Sequence, residues 1–345
     1  MRVTIGRFVV GAVCTLAAAA TFRPSAFAAP ATVVRLRATS DSVIVPSWLY
    51  PSTPAPAPGT PPVVFDSVTP IHLPRVRVAF AESQLHSLYF APDWDPTGHP
   101  KMPQVVAHGR PPAVFACAFC HMPDGSGRPE NVSLAGLPAG YIMQQVADLK
   151  SHARSTAWQG GAWAPYDNMR KVAEAASDSE VAVAAQYFSH LKPRQRTRVI
   201  EATLIPHVKP STGLYAISTG SGTEMLGSRL IEAPMDMERH ERRDPYVGYV
   251  AYVPVGSLAR GRKLTTKPMN EAKQVCGSCH GPALRGMGVI PPLAGGSPGY
   301  LVRQLMAFKT GARSTSASAP MQIVAKNLSL NDMISVAAYA ATLKR

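Results

Sequence analysis

The sequence predicts a mainly α-helical chain: two small helical domains of one repeated design, joined by a short β-leaning insert. Three observations carry that expectation. One pentapeptide pattern occurs twice, as Cys117-Ala-Phe-Cys120-His121 and Cys276-Gly-Ser-Cys279-His280. Each copy is followed by a Gly-Tyr pair heading an amphipathic run, Gly140-Tyr141-Ile142 and Gly299-Tyr300-Leu301, and each run ends in Ala-Arg-Ser-Thr, at 153–156 and 312–315. The offset between the copies holds at 159 over that stretch. Between the copies lie β-branched and aromatic runs, Val199 to Ile205 and Tyr246 to Val253, with turn residues between them.

In chain order, residues 1–28 read as an export signal. Arg2 and Arg7 make a positive start, Phe8 to Phe22 is largely apolar, and Ala26-Phe27-Ala28 is a small-x-small cleavage site. The apolar stretch is short and alanine-rich for a membrane span; a retained anchor, with membrane association through this segment, is the other reading. Residues 29–99 form an N-terminal extension, and its seven prolines between 46 and 62 suit a stiff tether or disordered spacer. The first helical domain is expected over 100–195, the insert over 196–262 and the second domain over 263–345. Export points to an oxidising compartment, most simply a bacterial periplasm. Cys14 leaves with the signal, so all four remaining cysteines stand in the two pentapeptides.

The whole chain carries a formal charge of +14; without the signal, 32 basic residues stand against 21 acidic. Such a balance favours acidic partners or anionic surfaces and speeds association by steering. No nucleic-acid motif accompanies it, and export argues against that partner.

Within each repeat, Ile142, Val146 and Leu149, and likewise Leu301, Leu305 and Phe308, fall on one helical stripe. Past the shared tetrapeptide the offset drops to 152, because the first copy holds seven extra residues including Trp163. Met169-Arg-Lys-Val172-Ala173 then matches Met321-Gln-Ile-Val324-Ala325. Ser177 with Glu180, and Ser329 with Asp332, are capping signals for terminal helices that reach Leu191 and Leu343. Each unit therefore reads as motif helix, loop, tyrosine helix, methionine loop and C-terminal helix.

The pentapeptide is a c-type haem attachment pattern. Cys117, Cys120, Cys276 and Cys279 are the candidate thioether residues, and His121 and His280 the candidate iron ligands. A single four-thiolate zinc site is the alternative, but it wants cysteine pairs about 15–20 residues apart, and 155 residues lie between Cys120 and Cys276. The second ring nitrogen of each histidine should meet a backbone carbonyl. Pro291-Pro292-Leu293 stands where that carbonyl is expected, and Val132-Ser133-Leu134 is its first-half counterpart without proline. Met169 and Met321 are the candidate sixth ligands; a thioether there favours reduced iron. His152 and His190 are the alternatives within the first repeat. Arg154 and Arg313 are either solvated helix-end residues or partners for haem carboxylates.

Taken together, these features resemble the tandem two-haem class I cytochromes c of bacteria, cytochrome c4-like, over about 105–195 and 263–345. The N-terminal segment and the insert depart from that compact pattern. The resemblance implies two small cytochrome c domains, two covalently attached haem c groups with their iron, and periplasmic electron transfer between respiratory or dehydrogenase partners. Those partners would be a dehydrogenase, an oxidase or another cytochrome, and the chain itself would transform no substrate. A two-haem cytochrome c peroxidase is the alternative, and it needs an open sixth position with an acid–base group above it. A thiosulfate dehydrogenase-type enzyme is a further one, expecting a cysteine iron ligand for which the exported chain has no spare thiol.

Overall fold

A computed structural model describes residues 43–345, apart from 75, 219, 221 and 268–274. The expected export signal lies outside the described residues. Among the described residues no helix is long and apolar enough to cross a membrane.

The repeat folds twice. Motif helices Cys117–His121 and Cys276–His280 lead to tyrosine helices Ala139–Lys150 and Pro298–Thr310, and terminal helices Asp178–Ser189 and Leu330–Thr342 close each unit. Both terminal helices start on reciprocal caps. Glu180 N donates to Ser177 Oγ at 3.2 Å and Ser177 N to the Glu180 carboxylate at 2.8 Å; Asp332 and Ser329 do the same at 3.1 and 3.0 Å. Each cap satisfies orphan first-turn amides and sets an acid at the positive helix end.

The two expected methionine loops are helices instead. Met169 lies in Ala164–Ala175 and Met321 in Ala319–Lys326. Pro165 and Pro320 stand in their first turns, where the missing N–H is no loss and the fixed φ favours helix. Proline therefore starts these segments rather than breaking them.

The insert holds a three-stranded sheet in the order Thr197–Glu201, Tyr249–Val253, Ile231–Pro234, parallel in the first pair and antiparallel in the second, and two antiparallel pairs, Leu204–Pro206 with Thr223–Met225 and Val208–Ser211 with Leu214–Ile217. Ala251 and Val253 on one face of the central strand are fully buried, and Val250 on the other is 5% exposed, so this strand is covered on both faces there. Helix makes up 38% of the chain and strand 14%, so the β part weighs more than a mainly α reading expects. Helix Ser257–Thr266 runs across the expected boundary at 262/263 and packs on the last helix. The crossing is close: a Cβ on Gly261 would lie 2.0 Å from Ser335 O.

The tether reading of 46–62 needs correction. Residues 52–64 are exposed, but Leu49 and Tyr50 are 2% and 4% exposed and share a core with Trp163, Val302 and Met333. Trp158 stacks on Tyr50 with ring centroids 5.7 Å apart, and Trp163 meets it edge-on at 5.2 Å. Both tryptophans come from the seven extra residues of the first repeat. Proline content sets a stiff backbone, but aromatic burial decides where that backbone is held.

Candidate cofactor sites

His121 and His280 are the best-defined groups. They are 8% and 6% exposed, and each donates its Nδ1–H to a carbonyl eleven residues on, Val132 O at 2.9 Å and Pro291 O at 2.8 Å. A carbonyl only accepts, so the proton sits on Nδ1 and Nε2 keeps its lone pair for a metal. The first half presents this carbonyl without a proline, because the turn and not the ring supplies the acceptor. Burial lowers the pKa of both imidazoles, with the carbonyl bond opposing, so they stay neutral. Each motif helix ends on a left-handed residue, Met122 at φ 67° and Gly281 at φ 74°. The chain then folds back, Gly127 N donating to His121 O at 2.9 Å and Gly286 N to His280 O at 2.7 Å.

In the first half the sequence candidates converge. A cavity of about 390 Å³ is lined by Cys117, Cys120, His121, Tyr141, Arg154 and Met169, within the roughly 300–1,000 Å³ of cofactor pockets. Burial pushes the Cys117 thiol up to about 12 and also raises Cys120 and Cys276, so these thiols are uncharged at neutral pH. Four arginines (Arg128, Arg154, Arg243 and Arg303) line the cavity against Glu130 and Glu180. Arg313 Nε is buried without a hydrogen-bond partner among the described residues. Paired thiols, an oriented imidazole, a thioether and surplus guanidinium charge fit a haem with its carboxylates.

The second set is arranged differently. Cys276 packs with Leu284, Leu293 and Leu301, Cys279 is exposed, and Met321 packs in another core cluster with Val302 and Met333. The histidine alternatives are surface residues: His152 faces Glu174 at 3.7 Å, and His190 Nδ1 donates to Gln186 O at 2.7 Å.

Arg154 and Arg313 are not solvated helix ends; they join the two halves. Arg154 donates to Tyr300 OH and Gln304 Oε1, both at 3.1 Å, and Arg313 donates to Gln145 Oε1 at 2.6 Å. Around them Ser155 N donates to Ala312 O at 2.6 Å and Ser314 N to Ala153 O at 3.0 Å. The two shared tetrapeptides therefore pair with each other. Their identity in both copies was the available signal, since one surface that meets its own copy must serve both sides.

Sequence reasoning missed Arg243, which follows the insert helix Met237–Glu241. Its guanidinium carbon lies 3.3 Å from the Phe119 ring centroid; Nε donates to Leu85 O at 2.8 Å and Nη1 to Phe119 O, inside the motif helix. Burial, then the Arg128 charge, pulls its pKa down to about 9. Nothing in the run Arg239, Arg242, Arg243 distinguishes it in sequence.

No family model matches the chain. It is 29% identical over 238 residues to the thiosulfate dehydrogenase electron acceptor of Stutzerimonas stutzeri (strain A1501), covering 68% of this chain and 82% of that one. It is 39% identical over 77 residues to cytochrome c-554(547) of Halothiobacillus neapolitanus, covering 20% of this chain and 85% of the relative. Among solved structures, the as-isolated thiosulfate dehydrogenase TsdBA of Marichromatium purpuratum aligns at a TM-score of 0.45 and 25% identity; the match covers 68% of this chain but 38% of that longer one. With both motif helices folded in the same way and 85% of a small cytochrome matched at 39% identity, the chain belongs to the c-type cytochromes, with covalent haem c as its cofactor and a two-domain, cytochrome c4-like organisation.

Proposed function

We propose that this two-haem electron-transfer cytochrome is a periplasmic carrier, reduced by a dehydrogenase of a small sulfur oxyanion and oxidised by a downstream cytochrome or oxidase. The observation that carries the reading is the matched pair of sites. In each half two cysteines one helical turn apart precede a buried histidine held by a carbonyl eleven residues on. The name of the Stutzerimonas relative, an electron acceptor of thiosulfate dehydrogenase, supports the partner class.

In this reading Cys117, Cys120, Cys276 and Cys279 would carry the thioethers, His121 and His280 would bind iron through Nε2, and Met169 and Met321 would supply the further thioether ligands. Haem c supplies one-electron iron chemistry when bound. The chain's own residues orient the imidazoles, and the electron-transfer relatives leave the peroxidase alternative not favoured. Basic charge directs docking. Residues 276–345 hold seven lysines and arginines against the lone acid Asp332, which suits an acidic partner face.

Stopped-flow reduction of the oxidised protein, with thiosulfate and its dehydrogenase as electron source, tests this reading. Two electrons should enter per chain, more slowly at 0.1 M salt, where screening shortens to about 10 Å. Peroxide consumption at enzyme-like rates, roughly 1–10³ s⁻¹, would overturn the carrier in favour of a peroxidase.

A further inference from the structure

Arg243 is an arginine held in an unfavourable backbone conformation for the sake of where its side chain goes. Its φ is +58°, in the left-handed region where glycine or asparagine is the usual occupant. The turn is fixed from outside, because Trp94 Nε1 of the N-terminal extension donates to Arg242 O at 2.8 Å. From it the guanidinium reaches the Phe119 ring and the carbonyls of Leu85 and Phe119, on the wall of the cavity that Cys117, Cys120 and His121 also line. Among the described residues it makes no ion pair. The neighbouring Asp244 is taken by Arg239 at 2.6 Å, and Glu130 by Arg128 at 2.9 Å.

Among the described residues the second half shows no counterpart. Ser278 occupies the Phe119 position, is exposed, and donates its hydroxyl to Val275 O at 2.6 Å. Among the described residues, a guanidinium stacked on the motif helix is seen at the first motif, and it comes from the insert rather than from the repeat.

We propose that Arg243 is a charge that biases the first haem site toward its reduced state and so makes the two otherwise similar sites unequal in potential. The proposal rests on the two-haem reading above. The step concerned is one-electron reduction of the first iron from ferric to ferrous, the electron coming from the reduced dehydrogenase. That step lowers the positive charge of the centre by one, and a nearby uncompensated cation favours it. Electrons entering the chain would then collect on the first, insert-covered site.

The test is a spectroelectrochemical titration of the holoprotein and of Arg243→Gly, Arg243→Gln and Arg243→Lys. The two waves are assigned with a Cys276→Ala/Cys279→Ala chain that keeps only the first haem. Glycine relieves the left-handed backbone while removing the charge, so a destabilised fold does not confuse the result; unfolding midpoints measured alongside check this. Gly and Gln are expected to shift the electron distribution about tenfold away from the first haem, 59 mV for one electron, with the second wave unmoved. Lys should keep most of the bias. Unchanged waves in Gly and Gln, equal movement of both waves, or a Lys variant that behaves like Gln would overturn the role of the charge. Fewer than two one-electron waves in the unmodified protein would instead overturn the two-haem reading.

Discussion

The two motif helices share a sequence pattern and a histidine geometry, yet they face different surroundings. In the first, Ala118 and Phe119 are 1% and 6% exposed, lying under Arg243 of the insert and beside the N-terminal extension, where Ala116 N donates to Leu88 O at 2.8 Å. In the second, Ser278 and Cys279 are exposed. Ligand orientation is a local property, fixed within the residues that follow each motif. Access and electrostatic setting belong to whatever else packs on it. A two-site carrier built this way can keep equal coordination chemistry and still give its sites unequal exposure to partners.

The largest expected effect breaks the comparison at the distal side. Met169→Ala and Met321→Ala should each open one iron: the unmodified reduced protein is expected to take up essentially no carbon monoxide in an optical titration, and each variant one equivalent. If only Met169→Ala responds, the halves differ in their sixth ligand as well as in their cover.

A smaller effect concerns the end of each motif helix. Met122 and Gly281 occupy the same left-handed position, but a Cβ at Gly281 would lie 2.4 Å from Gly286 O. Gly281→Ala should cost roughly 1–3 kcal/mol, measured by urea unfolding. A neutral result would mean that the second turn can relax to the shape by which the first accommodates Met122.

The smallest effect is shared by both halves. Each terminal cap is gripped by an upstream arginine, Arg110 on Glu180 at 2.9 Å and Arg260 on Asp332 at 2.7 Å. The Arg110 bond, with the Ser177 amide, brings the Glu180 pKa down to about 2. A depressed carboxylate stabilises the fold above its unfolded pKa, and that contribution fades as pH falls from about 4.5 toward about 2. Because Arg110 is half exposed, Arg110→Ala should cost no more than about 1 kcal/mol at pH 7. The gap from the unmodified chain should close on acidification, and a gap that persists at pH 2 would assign it to packing.

Much of the candidate site was legible because its chemistry is close in sequence. Two cysteines and a histidine in one helical turn, and a carbonyl eleven residues on, need no distant partner to be recognised. The matched methionines were visible through the repeat, although their segments proved to be helices, since a proline that could end a helix here begins one. Leu49, Tyr50 and Arg243 were not legible: each acts on residues far away in the chain, and composition carries no record of which distant surface a side chain will meet.

The sequence by itself determined the repeat, the caps and the histidine settings, because these depend on spacings within a few helical turns. Only the tertiary structure decided that the two Ala-Arg-Ser-Thr segments pair across the halves, that Tyr50 is clasped by the tryptophans of the seven extra residues, and that the insert covers one motif and leaves the other open. Local spacing sets which dihedrals and hydrogen bonds a short segment can satisfy alone. Burial of a far-off aromatic or an unpaired guanidinium is settled only when whole elements pack against one another.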